Sequence, residues 1–151
     1  MRNCAPVRLL VEKPRQGIMV ASEIALGIET IDAQHEELVD LFNRFAHAIE
    51  NDAPLGDVEA IVQRAIACAN AHFEAEEELI ARTNYPHAED HKFQHRHMRL
   101  EFTTLAGDAL AAKGHDPVTL EDLADMRAIL MEHITGPDRQ LAEHLKAAGV
   151  K

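Results

Sequence analysis

The chain has 151 residues, with 26 acidic against 15 basic side chains and a formal net charge of −11. That length bounds it to one domain with a real core, and that charge argues against nucleic acid or an anionic membrane as a partner. No apolar run approaches the roughly 18 residues of a spanning helix, and the basic start "MRNCAPVRLLVEKPRQGI" offers only "LLV", too short for the apolar stretch of a secretory signal.

Residues 1–18 lie outside any helical pattern and are expected to form a flexible extension, with Met19 a candidate alternative start and the folded unit at 19–151. From Asp32 to about Asn51, His35, Leu38, Phe42, Phe45 and Ile49 step by three and four along one helical face. Asp32 is the expected N-cap, and "NDAPLGD" breaks the chain. From Asp57 to about Arg82 a second stripe runs through Val58, Ile61, Val62, Ala65, Ala69, His72, Phe73, Glu76 and Ile80. "NYP" ends it, because the residue before a proline avoids the α region. A third stripe, from His87 to about Lys113, carries His91, His95, Met98, Phe102, Leu105, Ala109 and Ala112, with "GHDP" as the next break. The fourth begins at Thr119, which with Asp122 resembles a capping box. It runs Leu120, Leu123, Met126, Ile129, Leu130, His133 and Ile134, then Asp138, Leu141 and Leu145. No segment alternates as a strand does. Scarce glycine (7) and proline (6) suit long helices, and four of them with short loops predict an all-α, antiparallel up-down-up-down four-helix bundle.

Ten histidines stand against one tyrosine and no tryptophan, and every helix carries histidine on its core-facing stripe. Histidine and glutamate are costly to bury unpaired. His72 and Glu76 are four apart and share a face, as do His91 and His95. In an alternating bundle the end of helix two, the start of helix three, the start of helix one (His35) and the end of helix four (His133, Asp138) meet at one height. Seven ligand-type side chains therefore converge. His47, His87, His97, His115 and His144 fall off the stripe or near helix ends and are expected to be solvated. Glu74, Glu77 and Glu78 are expected to form a solvated acidic face. Cys68 is expected to be a small buried apolar residue. Two cysteines, Cys4 and Cys68, form no disulfide framework, and a reduced, cytoplasmic protein is the expectation. The stretch "HITGPD" (133–138) sets a histidine and an aspartate about 140° apart on a regular helix, with a proline that crowds the carbonyl of His133. Either the helix ends there or something offsets the cost.

The segments "IDAQH" (31–35), "HFEAEEE" (72–78), "YPHAEDHKFQH" (85–95) and "HITGPD" together resemble the hemerythrin family, specifically its bacterial single-domain members, over about residues 20–145. The resemblance implies two iron ions, Fe2+ or Fe3+, joined by a bridging oxo or hydroxo group. It implies that His91, His95 and His133 bind one iron, His35 and His72 the other, and that Glu76 and Asp138 bridge both. Counting ligands then leaves one position open on the iron held by His35 and His72, where dioxygen is the expected ligand. Asp138 reaching a second metal implies a locally widened, π-type turn at Gly136-Pro137. Leu38, Phe73, Ile129, Leu130 and Ile134 flank the ligands at helical spacing and are the expected walls of a dry dioxygen pocket. The family often has tryptophans near the N-terminal arm and four residues before the last histidine; here the first region reads "MVASEIALGIETID" and the second position is Ile129.

The leading expectation is a non-haem di-iron protein that binds dioxygen reversibly for storage, delivery or sensing, and is not an enzyme. The chain has no Glu-x-x-His, the pair used by carboxylate-rich di-iron enzymes. Two alternatives stay open: a peroxidase or nitric-oxide-handling enzyme on the same centre, and a non-redox site holding zinc or manganese.

Overall fold

The computed structural model describes residues 24–111 and 119–151. The expected extension 1–18, Met19, Ala112, His115 and the "GHDP" break lie outside the described residues. Within them every element is helical and there is no strand: α1 (Glu29–Glu50), α2 (Leu55–Thr83), α3 (Ala88–Leu110), α4 (Leu120–His133), a π turn (Ile134–Asp138) and α5 (Arg139–Ala147).

Asp32 does not cap α1. The helix starts at Glu29, and Ile28 stands at the cap position with no side-chain acceptor. The Asp32 carboxylate instead accepts the backbone N–H groups of Leu26 (2.7 Å) and Gly27 (2.8 Å), so it pins the chain as it enters the helix. Gly27 has φ +84°, a conformation that favours glycine, and a Cβ there would displace only the end of the Lys146 side chain. Helix α2 begins two residues before Asp57, which sits in its first turn, where a negative charge favours the helix dipole. It ends at Asn84, held in the left-handed conformation (φ 51°, ψ 51°) that asparagine tolerates. The capping box of α4 is present: Asp122 N–H donates to Thr119 Oγ1 at 3.1 Å, and Thr119 N–H to Asp122 Oδ2 at 2.7 Å.

The expected fourth helix is continuous but widened. Its α register gives way to a π turn at Ile134–Asp138 and then resumes as α5. Pro137 cannot donate to the His133 carbonyl and its ring crowds that oxygen, so a wider turn relieves the clash without ending the helix.

Contacts between helices run in opposite senses. Gln34 and Glu37 of α1 meet His72 and Arg64 of α2. Glu77 and Asn70 of α2 meet His95 and Arg99 of α3. Gln94 of α3 meets His133 of α4, and Phe102 shares a groove with Met126. Apolar residues fill the interior in three clusters. Ile28, Ile31, Ile80, Leu141 and Leu145 close one end. Leu38, Phe42, Phe73, Met98, Leu130 and Ile134 occupy the middle. Phe45, Val58, Val62, Ala106 and Leu123 close the other end. His144, expected in solvent, is half-buried: its Nε2 lies 3.1 Å from the Thr83 carbonyl and its ring 5.1 Å from that of Tyr85, which ties α5 to the end of α2. No described helix is long and apolar enough to cross a membrane.

Candidate metal centre

All seven convergent residues are buried together. His35, His95, Glu76 and Asp138 have no exposed surface, and His72, His91 and His133 are at most 5% exposed. α1 supplies His35, α2 supplies His72 and Glu76, α3 supplies His91 and His95, and the fourth helix supplies His133 and, through the π turn, Asp138.

The two carboxylates divide their oxygens. Glu76 turns Oε2 toward His91 and His95 (each Nε2 at 3.1 Å) and Oε1 toward His72 (3.7 Å). Asp138 turns Oδ1 toward His133 (2.9 Å) and His91 (3.4 Å), and Oδ2 toward His35 (3.1 Å) and His72 (4.0 Å). Two groups result, each with ligand atoms within 4.8 Å of one another: Glu76, His91, His95, His133 and Asp138 in one; His35, His72, Glu76 and Asp138 in the other.

Three imidazoles have their outward nitrogen occupied. Nδ1 of His72 faces Gln34 Oε1 (3.1 Å), Nδ1 of His95 faces Glu77 Oε1 (3.0 Å), and Nδ1 of His133 faces Gln94 Oε1 (3.1 Å). An amide or carboxylate oxygen only accepts, so Nδ1 donates and the neutral ring turns an Nε2 lone pair inward. Those lone pairs meet carboxylate oxygens, acceptor against acceptor. Glu76 Oε1, Asp138 Oδ1 and His133 Nε2 are buried with no hydrogen-bond partner. Only positive charge between such groups reconciles them, and orphaned buried polar atoms are otherwise costly.

The ionisation pattern says the same. Burial pushes the His72 imidazole down to about 4, with His35 adding to the effect against the pull of Glu76 and Asp138, so His72 is neutral and free to ligate. Burial also opposes charge on His91, but the facing Asp138 carboxylate and the hydrogen-bonded Glu76 outweigh that and raise it to about 9. In the metal-free chain His91 thus carries a proton as counter-charge. Burial alone would raise both carboxylates; the surrounding imidazoles hold Glu76 below its ordinary value and Asp138 well below. The donor set, imidazole nitrogen and carboxylate oxygen with outer partners on His72, His95 and His133, fits a metal site.

Comparison with known proteins agrees with this chemistry. The family profile described as "Hemerythrin HHE cation binding domain" matches residues 26–145. The chain belongs to the hemerythrin family. It is also 25% identical over 125 residues to a bacteriohemerythrin of Stenotrophomonas maltophilia (strain R551-3), an alignment that covers 83% of this chain and 79% of that one.

In this hemerythrin-family chain several residues around the site went unread in the sequence. Glu77, expected in solvent, is part-buried and accepts from His95 and from Arg99 Nη1 (3.4 Å). Gln34 and Gln94 each directly precede a cluster histidine, and that adjacency is the only trace of them in the sequence. Tyr85, the chain's one tyrosine, is buried with its ring edge-on to His91, 6.2 Å between centroids. Burial and the nearby Asp138 charge raise its hydroxyl pKa. Of the five expected pocket walls, Leu38, Phe73, Leu130 and Ile134 are buried in the central cluster, and Phe73 stacks on His95 at 4.3 Å. Ile129 is half-buried and lines two clefts between α3 and α4. Cys68 is buried, as expected.

Proposed function

We propose that this chain is a non-haem di-iron protein that binds dioxygen reversibly, for storage, delivery or sensing. The observation that carries the reading is the split of both carboxylates between two groups of imidazoles. One oxygen of each carboxylate serves each group, which suits two cations and not one. His91, His95 and His133 would hold one iron, His35 and His72 the other, with Glu76 and Asp138 spanning both. Hemerythrin-family membership favours iron, and the nitrogen-rich donor set favours the ferrous state. The opposed contacts between successive helices support an up-down-up-down four-helix bundle as the frame.

A ferrous pair bound there supplies two electrons that can be lent to dioxygen and taken back. The chain's own residues make that loan reversible. Gln34, Glu77 and Gln94 hold His72, His95 and His133 in the tautomer that ligates. Leu38, Phe73, Leu130 and Ile134 keep water from the buried face, and water would promote loss of reduced oxygen. The group of four protein ligands has one fewer than the group of five, which leaves room for a gas on the His35–His72 side.

One observation favours a second reading, a peroxidase or nitric-oxide-handling enzyme on the same centre. A cleft of about 340 Å³ between α3 and the fourth helix is lined by Phe93, Gln94, Ile129, His133 and Pro137, so open space reaches a ligand imidazole. Metal analysis and absorption spectroscopy on aerobically purified protein test the proposal. Two irons per chain, oxo-bridged ferric bands and reversible bleaching under vacuum support it; a zinc-only site refutes it. Irreversible bleaching with turnover of peroxide or nitric oxide selects the enzyme.

A further inference from the structure

Among the described residues, the large apolar side chains left exposed are Leu55, Phe93 and Leu100. Phe93 and Leu100 both stand on α3, at 64% and 63% exposure. They are seven residues apart, two helical turns, and so share one face. His91, His95 and Met98 turn the opposite side of α3 into the core, so the helix is amphipathic inward and carries a second, shorter apolar stripe outward. A single surface leucine is ordinary. An aromatic ring and a leucine aligned on one outward face are a contact waiting for a partner.

The charges around Phe93 say which partner fits. Glu89 and Arg96, four residues before it and three after, lie on one flank of the stripe; Asp90 and His97, three before and four after, lie on the other. All four are exposed, and the Arg96 guanidinium sits over the Phe93 ring, 5.7 Å from its centroid. Each flank is thus acidic on the N-terminal side of Phe93 and basic or polar on the C-terminal side. A two-fold axis perpendicular to two antiparallel helices keeps each flank beside the same flank of the other copy and reverses its direction. Centred on Phe93, it sets ring against ring, Glu89 against Arg96, and Asp90 against His97, each pair made twice. Leu100 then meets Pro86 of the other copy, exposed in the turn that leads into α3. The face is self-complementary. It is also close to neutral, with Glu89 and Asp90 against Lys92 and Arg96, on a chain whose net charge is −11, so two copies repel least when they meet here.

We propose that the outward face of α3 is the interface for a second copy of this chain, packed antiparallel about a two-fold axis at Phe93. The apolar contact is small, so the dimer is a weak one that forms with rising protein concentration. The Glu89–Arg96 pairs fix its register, because a slip of one turn sets like charges together. The interface stands apart from the metal chemistry: it uses the side of α3 that faces away from His91 and His95.

Sedimentation velocity on the full chain, from micromolar to millimolar protein, tests it. The wild type is expected to pass from monomer to dimer over that range, with metal and without. Phe93→Glu is expected to stay monomeric with its helical circular dichroism intact, and Leu100→Ser tests the same face should Phe93→Glu not fold. Leu55→Glu, at the exposed leucine on α2, is expected to dimerise as the wild type does. The charge pairs test the register. Glu89→Arg and Arg96→Glu singly each set two like-charged pairs across the axis and are expected to weaken association roughly tenfold or more; the double variant restores both pairs and is expected to recover it. A wild type that stays monomeric throughout would overturn the proposal and leave the face to a different protein. A dimer that survives Phe93→Glu and Leu100→Ser, or is lost in Leu55→Glu, would overturn it by placing the contact elsewhere. A folded double variant no stronger than the single ones would overturn the antiparallel register.

Discussion

At the scale of single residues, the outer partners of the imidazoles decide which nitrogen faces inward. Glu77 is the strongest of them, because its carboxylate is charged and lies 3.0 Å from His95 Nδ1. Glu77→Gln keeps the size but removes the charge, and outer partners of this kind are worth roughly 10–100-fold in metal affinity. A competitive chelator titration is expected to find that loss, with His95→Ala far weaker still; wild-type affinity in Glu77→Gln would assign His95 orientation to packing on Phe73 alone. Cys68 illustrates the opposite kind of residue. Burial, helped by the Glu37 carboxylate and opposed by Arg64, pushes its thiol up to about 11. Reactivity follows the thiolate, so alkylation of the folded protein near pH 8 should run roughly 100-fold slower than in denaturant. Timed mass spectrometry of iodoacetamide adducts measures it, and equal rates would show an open thiol.

At the scale of the element, the fourth helix carries two local devices. The π turn lets His133 and Asp138, five residues apart, face one centre. Pro137→Ala restores a donor for the His133 carbonyl and permits an ordinary α turn, which would swing Asp138 away. The expected outcome is a several-fold weaker second metal and reduced magnetic coupling between the two. Unchanged coupling would mean that ligation alone imposes the widening. Gly136→Ala is a useful control, since a Cβ there meets nothing within 4 Å. At the other end of the helix, Thr119 and Asp122 close the capping box. Hydrogen bonds from Thr119 lower the Asp122 pKa, so the cap contributes stability above the ordinary aspartate value and loses it as pH falls through the lowered one. Amide protection in the first turn of α4, taken relative to the intrinsic exchange rate, is expected to fall only as pH drops below the ordinary aspartate range. Thr119→Ala removes the hydroxyl cap at about 1 kcal/mol, and thermal unfolding reads it; a stability equal to wild type would place the helix start under tertiary control.

At the scale of the whole molecule, the interior alternates apolar, polar and apolar layers, and the polar layer is stable only with positive charge in it. Two buried carboxylates facing imidazole lone pairs repel when the metal leaves, and protons such as that on His91 replace it only in part. A ligand at a thousandfold excess over its dissociation constant stabilises the native state by about 4 kcal/mol. For a chain of this size that is on the order of 10 °C in Tm. Chelation should lower Tm by at least that amount and readdition of ferrous iron should restore it. A Tm insensitive to chelation would mean that the protonated cluster packs as well as the loaded one.

Sequence alone determined the elements and which histidines and carboxylates lie on their buried faces, because both depend on local spacing. Residues three and four apart share a helical face whatever lies opposite, so the stripes through His35, His72, Glu76, His91, His95 and His133 were legible, as were the capping box at Thr119 and the strain at Pro137. Helix starts were less so: Asp32 has the chemistry of an N-cap, but its carboxylate finds the amides of Leu26 and Gly27, which lie outside the helix. What only the tertiary structure decided are the pairings across helices. Glu77 sits between buried Glu76 and exposed Glu78, and nothing local marks it out; it is the approach of His95 and Arg99 from α3 that draws it inward. The same holds for His144 against the Thr83 carbonyl and for the division of each carboxylate between two imidazole groups. Helical periodicity specifies which way a side chain faces, and only packing specifies what it meets.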